Sequence, residues 1–267
     1  MKNIAKKVLV VLMAVLMIGA MAACAPAADS DAKTVSLGTS ADYPPFEFIY
    51  LDDQGAQQYA GIDVSLAKKL AADMDAELNV VNMNFDSLMA SLEKGDVDFV
   101  IAAVEVTEDR LKSADFSEPY YTDLPAMILV KADKAAEFTS IESFADKNVG
   151  AQSGTTKADI VNNDMPGAKF VGLTSVTDLV NELMYGKCDA IVLDGAVAMD
   201  YAASNSELVV ADVALGEALP FCVAVQKGDP KGLLESINKS IADALSQGLV
   251  DQWVAEADGL SSKALEG

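Results

Sequence analysis

Residues 148–163 read Asn-Val-Gly-Ala-Gln-Ser-Gly-Thr-Thr-Lys-Ala-Asp-Ile-Val-Asn-Asn: a short apolar run, a glycine-containing turn and a segment that opens on threonine. This pattern predicts a strand over 148–152 and a helix that begins at the turn 153–156. The first N–H groups of a helix have no partner within it, so a helix N-terminus can bind an anion. The stretch therefore predicts a βα unit with a candidate anion site at its turn.

The same alternation of short strands and amphipathic helices extends in both directions from this unit. One set of elements precedes residue 131 and a second occupies residues 139–211. Such alternation is typical of α/β proteins, and two sets predict two α/β lobes. The predicted elements include a strand over 98–103, a helix over 139–145, a strand over 219–226 and a last amphipathic turn around Trp253.

The composition is that of an acidic globular protein. The chain has 267 residues, 51% of them hydrophobic, and a formal net charge of −22. Nucleic-acid partners are not expected, because phosphate backbones require clustered Lys and Arg. Histidine is absent from the sequence, which excludes Ser–His and Cys–His pairs and HExxH zinc sites. We expect neither a cofactor nor a metal.

Arginine occurs once. Of the 19 basic residues 18 are lysine, and the exception is Arg110. A guanidinium binds a carboxylate through two parallel hydrogen bonds, which an ammonium cannot do. Arg110 also falls in the first turn of a predicted helix, where a cation opposes the helix dipole. We therefore predict that Arg110 binds an anion.

The N-terminus is typical of an export signal, with lysines before the apolar run 8–18 and small residues leading to Cys24. Residues 21–24 resemble a bacterial lipobox, which predicts a signal peptide over 1–23 and lipidation of Cys24. Ordinary cleavage at Ala20-Met21-Ala22 and an uncleaved anchor are the alternatives. All three place the folded part outside the cytoplasmic membrane, either lipid-anchored on its extracellular face or in the periplasm.

The mature chain begins with a predicted tether and contains two further cysteines. Residues 24–33 lack apolar periodicity and predict a flexible tether. Cys188 and Cys222 lie in apolar, strand-like runs. Export permits a disulfide between them, and buried free thiols fit equally well.

The candidate site residues together describe a ligand. Arg110 and the helix N-terminus at Thr155 would hold a carboxylate, and Tyr43 and Phe85 would flank an organic side chain. Asp194, at the end of a predicted strand, would take an ammonium. A molecule with these three parts is an α-amino acid.

Motifs spread over residues 34–256 resemble family 3 of the bacterial extracellular solute-binding proteins, the polar amino acid class that serves ABC importers. The motifs are 43–48 (Tyr-Pro-Pro-Phe-Glu-Phe), 61–64 (Gly-Ile-Asp-Val), 85–88 (Phe-Asp-Ser-Leu), 107–110 (Thr-Glu-Asp-Arg), 115–121 (Asp-Phe-Ser-Glu-Pro-Tyr-Tyr), 153–156 (Ser-Gly-Thr-Thr), 186–190 (Gly-Lys-Cys-Asp-Ala) and 192–194 (Val-Leu-Asp).

The resemblance implies a role for each matching residue. Arg110 would pair with the ligand's α-carboxylate, which the backbone N–H and hydroxyl of Thr156 would join, and Asp194 would take the α-ammonium. Tyr43 and Phe85 would enclose the side chain. The remaining residues expected to line the pocket are Ser40, Ala103, Gln152, Ser153 and Thr155.

The resemblance also implies a type II periplasmic-binding-protein fold, in which two hinge strands join two lobes around a ligand cleft. The hinge strands are expected near 126–131 and 219–226. The expected division is lobe I at 34–126, lobe II at 127–219, and a hinge return with lobe I helices at 220–267.

Glu105 departs from the family pattern, which has Ser or Thr at this position. Either Glu105 is a second acceptor for an ammonium or a cationic ligand, or it pairs with a lysine. Ser40 stands where some binders of cationic ligands carry an acid, which weakens the prediction of a basic ligand.

The predicted function is extracellular capture of a free amino acid and its delivery to an ABC permease and its ATPase, by a monomer that is not an enzyme. A sensory or scavenging receptor is the first alternative. The second is a dehydratase resembling the cyclohexadienyl dehydratases of the same fold, with Glu105 as general acid.

Overall fold

The computed structural model describes residues 33–264. Its two largest sheets have five strands each. The predicted signal peptide, Cys24 and all of the predicted tether except Lys33 lie outside the described residues. Within 33–264, none of the helices combines the length and the apolar character that crossing a bilayer requires.

The first sheet is built mainly from the N-terminal part of the chain. Its strand order is β5-β1-β6-β15-β7, with β1 parallel to β6. Strand β15 (Ala224–Gln226) comes from the C-terminal part of the chain and is antiparallel to both of its neighbours. The elements of this part of the chain are β1 (Lys33–Thr39), β2 (Asp42–Tyr43), β3 (Glu47–Leu51), β4 (Gln57–Ala60), α1 (Ile62–Asp73), β5 (Ala76–Asn82), α2 (Phe85–Lys94), β6 (Phe99–Val100), α3 (Arg110–Ser113), β7 (Ala114–Phe116) and β8 (Tyr121–Thr122). Of these, β2, β3 and β4 form a separate three-stranded sheet.

The second sheet has the order β11-β10-β12-β9-β13, in which β10 is parallel to both neighbours and β9 is antiparallel to both of its own. The elements are β9 (Met127–Lys131), β10 (Asn148–Gln152), α4 (Thr156–Asp164), β11 (Lys169–Leu173), α5 (Val176–Met184), β12 (Ala190–Leu193), α6 (Gly195–Ser204) and β13 (Leu208–Val210). Two 3₁₀ helices, Ala132–Glu137 and Ile141–Phe144, follow β9.

The chain returns to the first sheet through β14 (Pro220–Phe221) and β15 (Ala224–Gln226). β14 pairs with β8, so that Phe221 lies opposite Tyr121. Along the chain, each of these two strands falls between a strand of the first sheet and a strand of the second. Helices α7 (Leu234–Ser246) and α8 (Leu249–Ser261) then pack on α1. The predicted hinge segment 126–131 forms β9, which lies inside the second sheet.

Four of the predicted elements differ from the structure. The strand expected over 98–103 ends at Val100, because Ala103 has a φ of 47° and its N–H donates to the Asp63 carboxylate. The strand expected over 219–226 is divided into β14 and β15, which pair with different strands. The helix expected over 139–145 is a four-residue 3₁₀ helix without a side-chain cap. The turn around Trp253 is the 13-residue helix α8.

Both cysteines of the described chain are buried free thiols, which decides between the two alternatives.

Candidate functional site

Arg110 connects the two sheets. It begins α3, where its N–H donates to the Thr107 hydroxyl at 3.2 Å. The half-buried guanidinium donates to the carbonyl oxygens of Glu105 at 2.8 Å and Gly154 at 3.1 Å. It also lies 5.3 Å from the ring centroid of Phe85, a cation–π distance. Since Gly154 belongs to the turn between β10 and α4, Arg110 faces the predicted anion site.

Asp194 follows β12, and Tyr43 at the end of β2 contacts it. The Tyr43 hydroxyl donates to Asp194 Oδ2 at 2.8 Å and accepts the Asp194 N–H at 2.9 Å. Both residues are buried, with 8% and 5% of their surfaces exposed. The predicted acceptor for the ligand's ammonium is thus held in place by one of the predicted aromatic residues.

Lys157, which the sequence reasoning did not name, lies between the two acids of the site. Its Nζ is 2.5 Å from Asp194 Oδ1, 3.0 Å from Glu105 Oε1 and 3.3 Å from the Thr156 hydroxyl. The Thr156 hydroxyl in turn donates to the other oxygen of Glu105. We call Glu105, Thr156, Lys157 and Asp194 the ammonium cluster.

Lys157 is charged in this setting. Burial lowers the pKa of its ammonium, but the carboxylates of Asp194 and Glu105 outweigh burial and raise the pKa above the ordinary value of 10.5. Of the two interpretations of Glu105, the structure shows the lysine pairing. The signal that would have found Lys157 is the one used for Arg110, a cation in the first turn of a helix.

Eight of the predicted site residues line one small cavity, whose walls come from residues 43–110 on one side and 152–194 on the other. Its volume is about 10 Å³, room for about one water molecule. The eight are Tyr43, Phe85, Ala103, Glu105, Arg110, Gln152, Thr155 and Asp194. Thr156 joins them through Glu105, whereas Ser40 lines a different cavity. The Ser153 N–H pairs with the Leu173 carbonyl, and Ser153 is not part of the small cavity's lining.

A larger cavity adjoins the ammonium cluster. Its volume is about 480 Å³, and all four residues of the cluster line one part of it. Most of the remaining wall is apolar, with contributions from Leu124, Ile141, Ile160 and Leu215. Asp164 and Glu217 are the two further acidic residues in its lining.

A second buried acid pair supports the wall of the small cavity. Asp63 accepts the Ala103 N–H at 2.7 Å and the Tyr120 hydroxyl at 2.7 Å. The Glu47 carboxyl hydrogen-bonds the same carboxylate, and burial together with the Asp63 charge raises the pKa of Glu47 well above 4.5. Glu47 therefore keeps its proton to higher pH than a free glutamic acid does, and the Asp63 carboxylate anchors the backbone of Ala103.

These buried acids make the stability of the protein depend on pH. Burial raises the pKa of Asp63 from 3.8 to about 6, and burial raises that of Asp123 to the same value. For each of these carboxyls, the folded state binds more protons than the unfolded state between the ordinary pKa of 3.8 and the raised pKa of about 6. Lowering the pH into this range therefore stabilises the fold. We expect Asp63 alone to add about 1 kcal/mol to the free energy of unfolding between pH 7 and pH 5. Urea denaturation at both pH values measures it.

Asp63→Asn is the control, because it removes the titrating group while keeping its shape. It should reduce the rise between pH 7 and pH 5 by the Asp63 contribution and leave that of Asp123. A free energy of unfolding that falls over this range in the unmodified protein would contradict the prediction. Acids with lowered pKa values, such as Asp73 and Asp115, act with the opposite sign and only at lower pH.

Comparison with known families identifies one match. The profile of the family described as bacterial extracellular solute-binding proteins, family 3, matches residues 35–256. ABC transporter arginine-binding protein 1 of Escherichia coli (strain K12) is 32% identical over 231 residues, covering 84% of this chain and 92% of the relative. The arginine-binding extracellular protein ArtP of Bacillus subtilis (strain 168) is 32% identical over 255 residues, covering 92% and 96%.

Solved structures give the same result for the fold. The amino acid ABC transporter substrate-binding protein AbpA from Streptococcus pneumoniae, bound to L-arginine, superposes with a TM-score of 0.82 at 30% identity, covering 87% of this chain and 97% of AbpA. AncCDT-1, an ancestral amino acid-binding protein and precursor of cyclohexadienyl dehydratase, superposes with a TM-score of 0.75 at 33% identity, covering 84% and 94%.

Proposed function

Since the chain belongs to family 3 of the bacterial extracellular solute-binding proteins, we propose that Arg110 and Asp194 hold the α-amino acid that it binds, with L-arginine as the first candidate. The predicted family, the two-lobed type II fold and the general function, binding of an amino acid for import by an ABC transporter, are confirmed. The identity of the ligand and the roles of individual residues are the proposal.

The observation that carries the proposal is that Arg110, Tyr43 and Asp194 line the same small cavity. Arg110 and Tyr43 come from the first part of the chain, and Asp194 follows β12 of the second sheet. A zwitterion between them would place its carboxylate at the guanidinium and its ammonium at the carboxylate. Two relatives are named as arginine-binding proteins and AbpA was solved with L-arginine bound, which supports a cationic amino acid.

Binding in this arrangement requires the lobes to separate. A cavity of about 10 Å³ has no room for an amino acid, so the small cavity must open first. We propose that the ribbon of β8 and β14 is the hinge, and that the division into residues 34–126, 127–219 and 220–267 describes the moving parts. A ligand biases closure only because it contacts both lobes at once.

A ligand screen tests the proposal. At 100 times its dissociation constant, an amino acid adds about 2.7 kcal/mol to the free energy of unfolding. We expect L-arginine, or another amino acid among the proteinogenic set, ornithine, citrulline and cystine, to raise the melting temperature of the purified protein. Mass spectrometry of ligand released from freshly purified, denatured protein is the independent measurement. The proposal fails if neither measurement detects an amino acid.

Partners and location follow from the same proposal. We propose an ABC permease and its ATPase as partners, a monomeric binding protein, and a lipid anchor at Cys24. An extracellular position outside the cytoplasmic membrane agrees with the family.

We also propose that the protein does not catalyse a dehydration. The relatives compared above are binding proteins, and AncCDT-1 is itself an amino acid-binding protein. In the ammonium cluster, Glu105 is engaged by Lys157 and Thr156. Incubation with prephenate and with arogenate should therefore yield no aromatic product.

A further inference from the structure

Lys157 places a primary ammonium where the ligand's ammonium would bind. The α-ammonium of an amino acid and the end of a lysine side chain are both N–H donors that carry a positive charge and prefer carboxylate partners. The ammonium of Lys157 has two such partners, Asp194 at 2.5 Å and Glu105 at 3.0 Å. One of them, Asp194, is the proposed acceptor for the ligand.

The Lys157 side chain is buried and has polar partners on several sides. Only 5% of the residue is exposed, and its Nζ has a third polar neighbour in the Thr156 hydroxyl at 3.3 Å. The ring of Phe221 lies on another side, with its centroid 6.0 Å from Nζ. An ammonium has three N–H donors, and three oxygens surround this one. A second ammonium therefore cannot bind between Asp194 and Glu105 while Lys157 is there.

We propose that Lys157 is an internal competitor for the ligand's ammonium and so determines the affinity and specificity of the site. This inference rests on the proposed function and names the residue that an amino acid must displace. The side chain has room to move, because it lines the adjoining cavity of about 480 Å³. Asp164 and Glu217 in the lining of that cavity are acceptors for the displaced ammonium.

Competition of this kind has a quantitative consequence. When only a fraction of the protein is competent to bind, the apparent dissociation constant is the intrinsic one divided by that fraction. A ligand with an α-ammonium replaces one ion pair with another and gains little from Asp194. A ligand that lacks the ammonium can leave Lys157 in place. The unmodified protein should therefore discriminate weakly between an amino acid and its desamino analogue.

Lys157→Met tests the inference, because methionine is long and flexible but carries no charge. The probes are the amino acids of the ligand screen and, for the tightest of them, its desamino analogue; for L-arginine this is 5-guanidinopentanoic acid. By isothermal titration calorimetry we expect Lys157→Met to bind the amino acid about tenfold tighter than the unmodified protein or better. Its affinity for the desamino analogue should change less than about threefold.

Two further variants control for folding and for charge. Lys157→Met leaves Glu105 and Asp194 facing each other without a cation, so the double variant Lys157→Met/Glu105→Gln retains a single carboxylate and should show a gain in the same direction. Lys187 lies in the connection between α5 and β12 of the second sheet, and its side chain is 66% exposed in an ion pair with Glu182. Lys187→Met removes this charge. It should leave the affinity unchanged.

The outcomes separate this inference from the proposed function. If the unmodified protein binds an amino acid and both Lys157 variants bind it equally well or more weakly, Lys157 is a ligand contact or a structural residue, and the inference alone is overturned. Binding by the variants but not by the unmodified protein would support the inference and count against the proposed function. If no variant binds any amino acid, both fail.

Discussion

Replacing Arg110 by lysine should weaken amino-acid binding about tenfold or more. The guanidinium is a planar fork that can bind both oxygens of a carboxylate, whereas the lysine ammonium is a point charge on a flexible stem. The contacts of Arg110 within the protein also depend on the guanidinium, because one of its nitrogens donates to the Glu105 carbonyl and another to the Gly154 carbonyl. Lysine cannot make both contacts and still present a fork to a ligand. Isothermal titration calorimetry with the amino acid found in the ligand screen measures the loss.

Lys112→Gln is the matched control for Arg110→Lys. Lys112 lies on the same short helix α3, and its side chain is 75% exposed in an ion pair with Asp109. Removing this charge should leave the affinity within about twofold, because exposed ion pairs contribute little. Equal affinities of Arg110→Lys and the unmodified protein would show that Arg110 does not bind the carboxylate.

Replacing Gly61 by alanine should destabilise the fold by about 3 kcal/mol or more. Gly61 has a φ of 114°, a conformation that L-residues rarely adopt, and a Cβ there would lie 2.0 Å from the carbonyl oxygen of Phe46. That oxygen already accepts the Asp63 N–H at the start of α1. Relief of the clash would move the segment that carries Glu47 and, through α1, the Asp63 carboxylate. Urea denaturation monitored by circular dichroism measures the change.

Gly228→Ala distinguishes the destabilisation caused by the steric clash from that caused by the positive φ alone. Gly228 also has a positive φ, 81°, but a Cβ there meets nothing within 4 Å. We expect this variant to cost only about 1 kcal/mol, the ordinary penalty of the left-handed region. If the two alanine variants are equally stable, steric contact with Phe46 is not what requires glycine at position 61.

The parts of the site that were predictable are those with a local signal. Arg110 was identified because arginine occurs once and because a cation in a first helical turn opposes the dipole. Asp194 was identified because it ends an apolar strand, and the structure confirms that strand as β12. Both observations need only neighbouring residues.

The parts that were not predictable depend on contacts between distant residues. Lys157 lies 52 residues from Glu105 along the chain, and Tyr43 lies 151 residues from Asp194. The apolar run at 98–103 reads as one strand, yet it ends early because Asp63 binds the N–H of Ala103. No local pattern contains these pairings.

The α/β class, most of the strands and helices, and the two charged residues proposed to hold an amino acid are predictable from the residue order alone. These features follow from periodicity, capping and composition, which act over a few residues. Which charge faces which depends on the folded arrangement. This arrangement placed the Lys157 ammonium between Asp194 and Glu105 and put the Glu47 carboxyl beside Asp63. The physical reason is that buried charges must find partners within a few ångströms, and folding alone determines which residues come that close.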